Sequence, residues 1–78
     1  MESEGKEIDI NDRPVPEQIE FVDQAIKKAT QGISSTIITN ARIVATYSLP
    51  NALKKGVRCR VIPNQEGSVF SINIMPRN

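Results

Sequence analysis

Between Pro16 and Gly32 the apolar residues Ile19, Val22, Ile26 and Ala29 recur at helical spacing, and Phe21 and Ala25 widen the stripe. No other feature constrains the fold as much, because a helix with one apolar face has to bury that face against another element. Both ends of the segment are marked. Pro16 suits the first helical position, where its missing N–H would have no partner anyway. Glu17 and Glu20 lie near the positive end of the helix dipole, and Lys27 and Lys28 near the negative end. Gly32 stands where helices commonly stop. The pattern predicts a helix over residues 16–30.

The surrounding chain supplies strands for that helix to cover. Lys6 to Ile10 alternates polar and apolar, with Ile8 and Ile10 facing inward, and the turn from Asn11 to Pro16 ends the strand. Ile33 to Thr39 is β-branched and serine-rich, which reads as a central strand. Asn40 then offers an N-cap oxygen for the next segment. Residues 41–55 fit two patterns. As a helix, Ile43, Val44, Tyr47 and Leu53 make the inner face and Pro50 breaks the segment in two; as a strand, Ile43, Ala45, Tyr47 and Leu49 alternate. The helix is the favoured reading, and Gly56 closes either.

Val57, Cys59 and Val61 alternate with Arg58, Arg60 and Ile62, and after the turn at Asn64-Gln65-Glu66-Gly67 the residues Phe70, Ile72 and Ile74 alternate with Ser71, Asn73 and Met75. This is a hairpin with its apolar set beneath the helices and Arg58, Arg60, Ser71 and Asn73 on the other face. The expected fold is an α+β two-layer sandwich, ordered β-α-β-α-β-β, with two helices on one face of a four-stranded mixed sheet. With 78 residues the chain makes one domain, expected over 6–78, after a disordered tail at 1–5.

The core of such a domain has to be aliphatic, since the chain holds no Trp, one Tyr and two Phe. A core this thin, beside exposed strand edges, leads us to expect a homodimer. The chemistry on offer is limited. There is no histidine to act as a base or metal ligand, and one cysteine, Cys59, which the alternation places inward. Asp9 and Asp12 lie in an exposed stretch with no apolar pocket to shift them. The four glycines mark element ends and form no phosphate loop. We therefore expect no enzyme, cofactor or metal. No apolar run approaches the roughly 20 residues of a membrane span. The acidic start is unlike a secretory signal, so a cytoplasmic location is expected.

Charge gives the functional hint. Residues 1–23 carry two cations against eight carboxylates, whereas residues 24–78 carry eight cations against one. Either the halves neutralise each other in the fold, or the basic half meets an anionic partner. The candidate phosphate contacts are Arg42, Lys54, Lys55, Arg58 and Arg60, with Arg13 a further one. The arginine fork pairs well with phosphate. No aromatic side chain accompanies them, which argues against reading bases by stacking.

Pro14-Val15 before the first helix, Gln31-Gly32-Ile33-Ser34 leading into a β-branched strand, and Asn40-Ala41-Arg42 resemble the Alba family of small dimeric chromatin and RNA-binding proteins. The resemblance spans roughly residues 8–62 and implies the same β-α-β-α-β-β order. It departs where that family binds nucleic acid: Asp12-Arg13 stands where the family has two lysines, Arg42 alone remains of its basic run, and the turn from Pro63 to Ser68 is short. Small sulfur-relay carriers and a polymerising septum-forming family share the chain order. Pro14-Val15-Pro16 carries no cysteine, so persulfide relay is excluded. The expected function is non-catalytic RNA or DNA binding with low sequence specificity. The alternative is a protein-interaction or oligomerisation module that uses an exposed sheet face or edge strand.

Overall fold

A computed structural model describes residues 6–77, so the expected tail at 1–5 lies outside the described residues. The elements are β1 (Lys6–Asp9), α1 (Val15–Thr30), β2 (Ser35–Thr39), α2 (Arg42–Lys54), β3 (Arg58–Pro63) and β4 (Phe70–Met75). The sheet order is β1-β2-β4-β3, with β1 parallel to β2 and the other two pairings antiparallel. This is the expected α+β sandwich. Val22, Ala25, Ile26 and Ala29 from α1 and Val44, Ala45 and Ala52 from α2 close over Ile37, Phe70, Ile72 and Ile74 of the sheet.

Both helices stop in the same way. In α1, Ile33 N–H donates to Lys28 C=O at 3.0 Å and Gly32 N–H to Ala29 C=O at 3.0 Å. In α2, Val57 N–H donates to Ala52 C=O at 3.1 Å and Gly56 N–H to Leu53 C=O at 3.0 Å. These are paired Schellman closures, and they require the left-handed φ of +95° at Gly32 and +78° at Gly56. The first closure uses the backbone of Ile33, so β2 begins at Ser35, two residues later than the β-branched run predicts.

Residues 41–55 are helical, with three departures from expectation. First, α2 runs unbroken through Pro50. Pro50 and Thr46 are both exposed, so the carbonyl that loses its donor lies on the solvent side, and Asn51 Nδ2 donates to Tyr47 C=O at 2.7 Å in the same turn. Second, the inner face is Val44, Ala45, Ser48 and Ala52; Ile43 and Leu53, expected inward, are 64% and 70% exposed. Small side chains line the buried stripe, and Ser48 satisfies its hydroxyl on Ala45 C=O at 2.7 Å. Third, Ala41 rather than Asn40 is the N-cap residue. Thr39 Oγ1 accepts from Ala41 N–H at 3.0 Å, while Asn40 N–H is held by Asn11 Oδ1 at 2.6 Å.

Thr39 also ties the two helix starts together. Its hydroxyl donates to Gln18 Oε1, and Gln18 Nε2 donates to Arg13 C=O at 2.8 Å. Both Thr39 and Gln18 are buried, so this short chain of bonds fixes the β1–α1 loop against the end of β2 without an unsatisfied polar atom.

Cys59 sits half-buried on the core face, 3.8 Å from Ser48 Oγ, and burial pushes its thiol pKa up. A raised pKa means that less thiolate is present at a given pH in the folded chain. A thiol reagent should therefore label the native protein slowly and the denatured protein quickly. Equal rates would require β3 to be shifted by one residue, which would turn Cys59 outward and Arg58 and Arg60 inward.

Candidate nucleic-acid interface

The Schellman closures position charge as well as chain direction. Each is preceded by a lysine pair, Lys27-Lys28 in the last turn of α1 and Lys54-Lys55 at the last residue and C-cap of α2, and all four side chains are exposed. Cations here complement the negative ends of the helix dipoles, worth about 0.3–1 kcal/mol each. Both helices run back from the same end of the sheet, so both lysine pairs arrive at one pole. β3 starts at that pole with Arg58, and Arg77 follows the end of β4 there.

Two depressions show how these elements converge. One, of about 500 Å³, lies between Thr30 and Gly32 of the α1 terminus, Lys55 and Gly56 of the α2 terminus, and Pro76 and Arg77. The other, of about 620 Å³, is an open groove between the helices, with Lys27 on one wall and Lys54 and Lys55 on the other. Within that groove Tyr47 donates a hydrogen bond to Asp23 Oδ1 at 2.8 Å, and the adjacent carboxylate raises the phenol pKa. Lys55 borders both depressions. Among the described residues the one ion pair joins Arg13 to Glu17, and Asp23 is the carboxylate that shares the groove with Lys27, Lys54 and Lys55.

The structure thus brings Lys54, Lys55 and Arg58 together and leaves Arg13 and Arg42 at the opposite pole. Arg13 is already engaged there: its Nη1 lies 3.5 Å from Glu17 Oε1, and its guanidinium stands 5.1 Å from the centre of the Phe21 ring. Arg42 is exposed at the first turn of α2, where a cation opposes the helix dipole. Arg60 lies one side chain further along β3 than Arg58, about 6.8 Å away on the same open sheet face.

Lys27, Lys28 and Arg77 belong to this pole although the sequence reading did not select them. The lysines have a sufficient local explanation as dipole partners, which hid their second property. The available signal was the repeated Lys-Lys followed by a stop glycine, since a β-α-β-α order carries both helix C-termini to one end. No helix among the described residues is long and apolar enough to cross a membrane. No protein-family model, curated protein or solved structure matches the chain.

Proposed function

We propose that this domain binds RNA or DNA without catalysis, through phosphate contacts from Lys27, Lys28, Lys54, Lys55, Arg58 and Arg77. The observation that carries the reading is their convergence at one pole from four separate elements. Helix dipoles account for the lysines individually, but not for Arg58 and Arg77, which lie outside the helices. The element order is also the one that the Alba resemblance implies. Contacts of this kind fix position on a backbone and carry no base information, so sequence specificity is low.

Titration against labelled duplex DNA and single-stranded RNA tests the proposal. With about five phosphates neutralised, the slope of log affinity against log salt for duplex DNA is about −4.5, and binding weakens about 500-fold between 50 and 200 mM salt. Absence of binding at about 50 mM salt removes the nucleic-acid reading. The second reading, a protein-interaction module, rests on a different observation: the sheet face opposite the helices is covered by no described element. That reading survives a null titration.

A further inference from the structure

The open face of the sheet carries opposite charges on its two edges. On β1, Glu7 and Asp9 are exposed; on β3, Arg58 and Arg60 are exposed. The strand register places Glu7, Thr36, Asn73 and Arg60 in one row across the sheet. The next row is Asp9, Ile38, Ser71 and Ile62. Within one chain these charges do not meet. The edge strands lie three strand spacings apart, about 14 Å, and Thr36 and Asn73 between them are hydrogen-bonded to each other at 2.7 Å.

We infer that a second copy of this chain packs on the open sheet face, related by a two-fold axis parallel to the strands, with Glu7 of each copy against Arg60 of the other. Rotation about that axis exchanges β1 and β3 while keeping every row at its own height. Glu7 therefore falls opposite the partner's Arg60, and the contact occurs twice. A two-fold axis running across the strands would instead set acidic edge on acidic edge and basic on basic, which the charges oppose. Face-to-face sheets stack about 10 Å apart, a gap that a glutamate and an arginine reaching from opposite sides can bridge. The middle of the face is mixed in character. Ile38 and Met75 are half-buried and Ile62 is 45% exposed, among the hydroxyls and amide of Thr36, Ser71 and Asn73.

The footprint is small, about 300 Å² per copy, which is below that of a standard interface and makes the dimer weak and salt-sensitive. The axis direction has one further consequence, which rests on the proposed nucleic-acid function. Because the rotation preserves height along the strands, both basic poles emerge on the same side of the dimer, forming one platform with twice the cations.

Sedimentation velocity without nucleic acid, over about 20–500 μM protein, tests the inference. Wild type is expected to gain mass with concentration at about 50 mM salt, and less so at about 500 mM. Glu7→Lys alone and Arg60→Glu alone should each weaken association about tenfold or more, and the double exchange should restore it. Both positions are exposed, and circular dichroism checks that each variant folds. A wild type that stays monomeric throughout, or single variants that associate as wild type does, would overturn it, as would a double exchange that fails to recover. Lys54→Ala with Lys55→Ala leaves this association unchanged, so its outcome is separate from that of nucleic-acid binding.

Discussion

Replacing Lys27, Lys54, Lys55 and Arg77 together by alanine flattens the salt dependence of duplex binding by about 3.6 slope units, at about 0.9 per lost phosphate contact. At about 50 mM salt the affinity falls by about a hundredfold or more, because counterion release from the phosphates dominates binding of this type. Folding is affected far less. All four side chains are exposed, and the cost is about 0.3–1 kcal/mol for each lysine that loses its interaction with a helix end. Fluorescence anisotropy with a labelled duplex at several salt concentrations reads both the slope and the affinity. The matching control is Arg13→Ala with Arg42→Ala at the opposite pole. That pair should leave the slope near its wild-type value, although it removes the Arg13–Glu17 contact. If the two variants flatten the slope equally, the charge of the whole domain, and not the pole, governs binding.

The sheet alternation and the first helix were legible because their signals are local. Ile72 and Ile74 face inward because successive strand residues alternate, whatever the rest of the chain does. The second helix was harder to read because its buried stripe is made of small and polar side chains. Ser48 and Ala52 give no hydrophobic periodicity, whereas the bulky aliphatic residues of the segment, Ile43, Leu49 and Leu53, are all exposed. Size and burial part company there, since small residues let the helix approach the sheet closely. Pro50 misled for a related reason. A proline in a helix interior costs about 3 kcal/mol, yet here the carbonyl left without its donor lies on the wet side, where water can satisfy it, and Asn51 bonds within the same turn. The candidate site was half legible. Adjacent cations such as Lys54-Lys55 stand out in the chain, but their meeting with Lys27 and Arg77 depends on the topology and has no local signature.

The core rests on very few large side chains, so a single truncation in the middle of the sheet has a large effect. Ile72 is fully buried on central strand β4, with Ile37 of β2 and Val61 of β3 beside it in register. Ile72→Ala removes about three methylene equivalents and leaves a cavity that two hydrogen-bonded neighbouring strands cannot collapse around, a loss of about 3–4 kcal/mol. A domain of this length holds about 4–12 kcal/mol in total, so the variant retains a small margin or unfolds at ambient temperature. Ile62→Ala, one strand away, is the comparison. Ile62 is 45% exposed on the open face, so the same atoms are removed for about 1 kcal/mol or less. Urea unfolding followed by far-ultraviolet circular dichroism measures both midpoints. The expected result is a large fall for Ile72→Ala beside a small one for Ile62→Ala, with the thermal order the same. A reversed order would mean that the two faces of the β3–β4 hairpin are exchanged, which would also bury Arg58 and Arg60 and remove the charge pattern on the sheet.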